Sequence, residues 1–306
     1  MRYLGIDIGG TQLRAAVFDA TMHMLMCRKI PNDPRLGAEE NLRCLLNGLE
    51  ESGEGFAGVG IGSPGPVDIP AGVILNPPNL TGWDNFAVAA HVSGKLGVPA
   101  RLNNDANLAG WAEALLGAGQ GLPSVFYITA STGIGGAFVL EGKVLNGAHS
   151  AGGEIYNLIV NEDSYCHRGV NPGAANEQCG GHALERIASA AYGRAITPRE
   201  LFDMCEAGDA RAETIIARCA DNMGKLIGNI ICVVDPHAFV LGGSLALHNP
   251  WYVEKVRAAA RRYAIHPDAL DIRLAMLGDD AGLYGAGLLA RECAQATPSR
   301  QDDLKV

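Results

Sequence analysis

Two glycine-rich runs, DIGGT (Asp7 to Thr11) and STGIGG (Ser131 to Gly136), each lie between apolar stretches that read as strands. Backbone N–H groups can hold a phosphate chain only where side chains leave room, and glycine allows both the tight turn and the close approach. Gly9, Gly10, Thr11, Thr132 and Gly133 are therefore candidate phosphate contacts, with the two threonines adding hydroxyl donors. A plain hairpin turn would explain either run alone, but the pair recurs at matching places in the two halves of the chain. Asp7 ends a strand just before the first turn. A carboxylate there could hold Mg²⁺ through water beside phosphates, or simply cap the turn. In-line phosphoryl transfer needs a group near the acceptor hydroxyl to take one proton. RLNNDAN offers Asn104 and Asp105 where a short strand passes into a helix; both types are also favoured N-caps, so spacing alone leaves Asp105 a candidate base.

Other patterns carry less. GIGSPG (Gly60 to Gly65) matches G-x-G-x-x-G after a strand, but Pro64 and Pro66 oppose a helix opening there, which removes a dinucleotide fingerprint. Neither a P-loop nor a G-x-S-x-G elbow is present. The chain has 306 residues, 48% hydrophobic and 19% charged, enough for two domains with cores of their own. A net charge of −9 argues against a nucleic-acid surface. Asp7 interrupts what would be the apolar part of a leader, and no stretch approaches a membrane span, so a cytoplasmic protein with no membrane partner is expected. Eight cysteines are scattered, several in apolar runs such as IICVV around Cys232, and read mostly as small buried hydrophobes. Cys166 and Cys179 alone fall in a polar, Gly-rich stretch, which reads as a solvated loop.

The elements that must position these groups follow from periodicity. Strands are expected at Tyr3 to Ile8, Gln12 to Phe18 and Met22 to Ile30, then a helix from Glu39 to Leu49 and a strand from Phe56 to Ile61. Helices at Ala87 to Leu96 and Ala106 to Leu116 flank a short strand near Arg101. After GAGQGLP the grammar restarts with strands Ser124 to Ala130 and Gly135 to Leu140, so the second half reads as a diverged copy of the first. Ile215, Cys219, Met223, Leu226, Ile230 and Val234 recur on one helical face, predicting a long helix from Ala210 to Val234 that Pro236 stops. A strand at His237 to Leu241, Gly242 and Gly243, and a helix from Ala281 to about Ala294 complete the α/β pattern. The tail TPSRQDDLKV lacks apolar periodicity and is expected to be mobile.

In order along nearly the whole chain, DIGGT, GIGSPGPVD, NPPNLTGW, NNDAN, STGIGG, GGE (Gly152 to Glu154) and VVDPHAFVLGGS resemble the ROK family of repressors, open reading frames and sugar kinases, within the actin-like superfamily. The resemblance implies two actin-like (ribonuclease H-like) lobes, residues 1–119 with 285–306 and residues 120–284, with ATP and a sugar in a central cleft. It implies Asp105 as general base, Asn104, Gly65, Asn79, Glu154 and Glu185 at the sugar, and Gly9, Gly10, Thr11, Thr132, Gly133, Gly242 and Gly243 at ATP. Asp7 would serve Mg²⁺. The expected activity is transfer of the γ-phosphate of ATP to a hexose hydroxyl, O6 of glucose first, with a β-glucoside, N-acetylmannosamine or another hexose as alternatives, in a homodimer. A sugar-sensing repressor is the alternative of another class; family repressors carry a helix-turn-helix domain ahead of the DIGGT-like segment, which here begins at Asp7. One departure is clear. Zinc-containing members follow GE with Gly-His and carry C-x-C-G-x-x-G-C-x-E, whereas here Tyr156 and Asn157 replace Gly-His and Ala183 replaces the last cysteine, so that zinc site is broken. Cys166, His167, Cys179 and His182, in the 160–185 loop, could form an improvised site, but two free thiols are the preferred reading; Asn157 could keep a hydrogen bond to the sugar.

Overall fold

In a computed structural model, residues 1–49, 55–167 and 169–296 are described. Apolar alternation broken by two tight turns yields the antiparallel meander β1 (Arg2–Ile8), β2 (Gln12–Phe18) and β3 (Met24–Pro31). β3 starts two residues later than its sequence suggests because Met22, at φ +66°, belongs to the turn, its N–H donating to the Asp19 carbonyl. Helix α1 (Gly37–Leu46) ends three residues before the predicted Leu49, where Gly48 turns left-handed at φ +81°. Leu49 is nonetheless buried, so the apolar spacing was a burial signal beyond the helix end. Then come β4 (Phe56–Ser63), the small hairpin β5 (Val67–Asp68) and β6 (Val73–Ile74), α2 (Val88–Leu96), β7 (Ala100–Asn104) and α3 (Asp105–Leu116). The sheet order is β3-β2-β1-β4-β7, with β4 and β7 running parallel to β1.

The second half repeats this. β8 (Ser124–Ala130), β9 (Ile134–Leu140) and β10 (Lys143–Val144) form the meander, α4 (Ala175–Cys179), α5 (Gly181–Tyr192), α6 (Pro198–Glu206) and α7 (Ala210–Val234) follow, and β11 (Ala238–Gly242) and β12 (Ile272–Leu274) pair in parallel. Its order, β10-β9-β8-β11-β12, is that of the first sheet, as expected of a diverged actin-like copy. Short α8 (Ser244–Leu247) and α9 (Pro250–Ala260) lie around β11, and α10 (Ala281–Gln295) closes the described chain. The predicted stripe of α7 holds: Ile215, Cys219, Met223, Leu226 and Ile230 are all buried, under an Asp209 cap that accepts from the N–H groups of Arg211 and Ala212. Cys232 is a correction. It is exposed, beside Val233 at 82%, because both lie on the solvent face of α7 with Asn229, while Val234 still packs against the core.

The chain divides into two units, residues 1–112 with 146–150 and the stretch from Asp280 onward, and residues 113–145 with 151–279. The expected lobes changed at 119/120 and 284/285. The observed change inside α3 has a local cause: the Glu113 carboxylate accepts from the N–H groups of Ala118, Met276 and Leu277, all in the second unit. α10 belongs to the first unit, lying on β1 and β4 so closely that a Cβ at Gly60 would stand 2.0 Å from the Ala286 carbonyl and one at Gly5 2.9 Å from the Gly287 nitrogen. Glycine in these two strands is what admits the helix backbone. The tail of residues 297–306 lies outside the described residues. Among the described residues no helix is long and apolar enough to cross a membrane.

Candidate active site

Parallel pairing gathers the first unit's candidates along one edge. Asp7 stands in register with Gly62, and Gly62 with Asn103, so the first glycine turn, the Gly65 loop and the Asn104–Asp105 step all leave the carboxyl ends of neighbouring strands. That edge is where α/β sheets bind ligands. The turn closes through Gly9 N–H donating to the Gln12 carbonyl at 2.9 Å, and Asn32 braces it by donating its Nδ2 to the Gly9 carbonyl at 2.9 Å. Fully buried Trp83, from the NLTGW run, donates its indole N–H to Asn32 Oδ1 at 3.3 Å. A Cβ at Gly10 would come within 2.7 Å of the Asn79 carbonyl, so Asn79 sits against this turn while Gly10 and Thr11 face solvent. Asp7 is held by Arg14, whose Nε and Nη2 reach Oδ2 at 2.9 and 2.7 Å and whose Nη1 reaches Asp280 at 3.2 Å.

The start of α3 carries two polar side chains that receive its first N–H groups. Asn104 Oδ1 accepts from the N–H groups of Ala106 (2.9 Å) and Asn107 (3.3 Å), the work of an N-cap. Asp105 is half-buried in the first helical turn, with Oδ1 accepting from Ala106 N–H at 2.7 Å. The positive end of the helix dipole favours a carboxylate there. Asn103 supports the pair, its Oδ1 accepting from Asn104 N–H at 2.8 Å.

In the second unit the glycine turn is held almost wholly by backbone. Ser131 N–H donates to the Gly133 carbonyl, and the carbonyls of Ser131 and Thr132 accept from Gly181 and His182 at the start of α5. Asn176 Oδ1 accepts from Ile134 N–H, and Ser131 Oγ lies 3.1 Å from Ser244 Oγ. Gly243, at φ +81°, would set a Cβ 2.4 Å from the Ala130 carbonyl, so the end of β11 lies close against the end of β8, where the second glycine turn begins. Gly153 (φ +84°) packs its Cα against Gly136, which seats Glu154 beside β9. Glu154 makes no ion pair or side-chain hydrogen bond among the described residues, and burial raises its carboxyl above the ordinary value. Glu185 is exposed on α5, 4.0 Å from His182. Asn157 Oδ1 accepts from the Asn171 N–H at 2.7 Å, closing the loop between them.

The loop thiols differ from expectation. Cys166 is exposed, but Cys179 is fully buried at the end of α4, against Cys219, whose Sγ lies 3.1 Å from the Tyr252 hydroxyl. Its hydrogen bonding with Cys219, then its burial, push the Cys179 thiol up, away from the thiolate that a metal needs. With His182 solvent-facing on α5, the four proposed donors do not gather, and no metal-holding cluster of three or more His, Cys, Asp or Glu occurs among the described residues. Mg²⁺ makes a different demand, taking one or two carboxylates with water and substrate phosphates. Asp7 fits that role: Arg14 occupies Oδ2, and Oδ1 lies near Gly62 and Gly282, positions without side chains.

Arg14, Asn32, Trp83, Asn103 and Asn176 were not singled out in the sequence. Arg14 had a signal, since it stands across the turn from Asp7 in an otherwise apolar strand. The Asn32–Trp83 bond joins residues far apart in the chain and has none.

The model of the ROK family matches residues 3–293. A ROK hexokinase structure from Thermus thermophilus has a TM-score of 0.88 and 37% identity, covering 95% of this chain and 98% of that one. A ROK family glucokinase from Streptomyces griseus, in complex with glucose and AMPPNP, has a TM-score of 0.81 and 28% identity, covering 95% and 100%. An N-acetyl-D-glucosamine kinase of Haemophilus influenzae is 30% identical, over 94% of this chain and 98% of the relative. The likeness runs through both sheets and both glycine turns, and the chain belongs to the ROK family.

Proposed function

We propose that this chain is an ATP-dependent hexose kinase in which Asp105 takes the proton of the acceptor hydroxyl, with O6 of glucose as the first acceptor. The observation that carries the reading is the division of labour at α3: Asn104 caps the helix, so Asp105 is not needed for that task and stands on the strand-end edge with the first glycine turn. The sugar kinases among its relatives support the same chemistry.

As the sugar oxygen bonds to the γ-phosphorus, its proton passes to Asp105, the bridging P–O bond breaks, and ADP leaves. Gly9, Gly10, Thr11, Thr132, Gly133, Gly242 and Gly243 hold the nucleotide through N–H and hydroxyl donors, at no cost in reorganisation during transfer. Asp7 would hold Mg²⁺ through water, and the ion would supply charge neutralisation on the phosphates when bound. Asn104, Gly65 and Asn79 contact the sugar, and Glu154, Asn157 and Glu185 pair with its remaining hydroxyls, rejecting acceptors that leave them unpaired.

The test is Asp105→Asn, assayed with ATP and Mg²⁺. Sugar and ATP binding are retained and turnover falls by roughly 10²–10⁴-fold; wild-type turnover would remove Asp105 from this role. A panel of glucose, mannose, N-acetylglucosamine, N-acetylmannosamine and cellobiose fixes the acceptor. The Haemophilus relative and the Tyr156–Asn157 replacement favour an amino sugar or β-glucoside as the second reading.

A further inference from the structure

The start of α3 holds more amides than capping uses. Asn107 is 1% exposed and donates both Nδ2 protons, one to Asn103 Oδ1 at 3.1 Å and one to Asn146 Oδ1 at 3.2 Å. Those two acceptors fix the amide's orientation, since a flip would turn its oxygen on two other oxygens. Asn107 Oδ1 is buried with no protein hydrogen-bond partner among the described residues.

Asn146 opens the short segment Asn146–Ser150, which the first unit receives between two stretches of the second. The far end is Ser150. It holds φ +58°, uncommon for a non-glycine residue, and its Oγ accepts from Ile69 N–H at 3.1 Å, in the turn between β5 and β6. One end of the segment thus grips the helix that carries Asp105, and the other grips the β5–β6 hairpin into which the Gly65 loop leads. The Ser150 end holds an uncommon backbone conformation, and such conformations persist where surrounding structure over-determines them, often at functional sites.

We propose that Asn146–Ser150 is a positioning strap, with Asn107–Asn146 and Ser150–Ile69 as its fasteners, that sets the start of α3 and Asp105 against the Gly65 loop. This rests on the reading of Asp105 as proton acceptor. Asn107 and Asn146 are positioning residues and touch no reacting atom.

Asn146 contributes only an acceptor oxygen to its fastener, so Asn146→Leu removes the bond and Asn146→Asp restores it. Misplacement of a reacting group costs up to about 10²-fold, so Asn146→Leu is expected to lower kcat about tenfold or more while the KM for ATP stays within about twofold. Asn146→Asp recovers most of that loss. Ser150→Ala, which leaves the helix end fastened, raises the KM for the sugar, and Asn107→Leu combined with Asn146→Leu loses no more than either alone. Full kcat in Asn146→Leu, equal losses in Asn146→Leu and Asn146→Asp, or additive losses in the double variant would overturn the strap. A role in stability alone would lower Tm without splitting kcat from KM. Asp105→Asn keeps the two readings apart: full turnover there removes the acid's role, whereas loss there with full turnover in Asn146→Leu removes only the strap.

Discussion

The turns after β1 and β8 close equivalent hairpins in sheets of the same strand order, yet they are secured by different forces. One step back from the first turn stands the pair Asp7 and Arg14, extended by Asp280; the equivalent step at the second turn holds Thr129 and Gly135, with no charge at all. Buried side chains brace the first turn through Asn32 and Trp83, while backbone groups from Gly181, His182 and Gly243 crowd around the second. Topology therefore does not dictate how a glycine turn is stiffened. An ion pair leaves one carboxylate oxygen near the edge, of use to a cation, whereas a surface of N–H groups and glycine can admit phosphate without repulsion.

The difference should show first in Gly243→Ala. A Cβ there meets backbone at 2.4 Å with φ +81°, so strain of about 3 kcal/mol is expected, with a fall in Tm and at least about a tenfold rise in KM for ATP. An unchanged KM would detach the second turn from the nucleotide. Next is Arg14→Leu. Asp7, 16% exposed, loses its partner, and stability is expected to fall by about 2 kcal/mol in chemical denaturation; no loss would mean that charge does not secure the first turn. Asn32→Ala strips partners from the Gly9 carbonyl and the Trp83 indole, for about 1–2 kcal/mol. Asn32→Asp keeps the indole's acceptor and should recover part of it.

The smallest effect concerns Glu154. Its raised pKa means that the folded chain keeps this proton to higher pH than the unfolded chain does, so its contribution to stability falls as pH rises through the folded value. Glu154→Gln is then slightly more stable than the parent at neutral pH, and the two converge below the usual carboxylate range. A Tm difference independent of pH would place the effect elsewhere.

Much of this was legible because it is periodic. The β1–β2 and β8–β9 hairpins and the stripe of α7 repeat a burial pattern over many residues, and the order of glycine turns marks the duplication. Two-residue strands such as β5, β6 and β10 and the four-residue α8 are too short to show a period. Cys232 misled because an apolar run hides the helical period, which puts Cys232 on the outer face of α7 while Val234 still packs against the core. Asn32 with Trp83, and Asn107 with Asn146, depend on hydrogen bonds between distant segments, which no local spacing encodes. Cys179 looked solvated among polar neighbours, yet the short α4 turns it inward.

The bed of α10 has a consequence for biosynthesis. Gly5 and Gly60 lie near the start of the chain, and the helix that covers them is made from residues 281–295. On a ribosome the β1 and β4 face must wait bare while the whole second unit emerges, so that later unit has the means to finish first. Loss of α10 by premature termination would strand β1 and β4 without their cover.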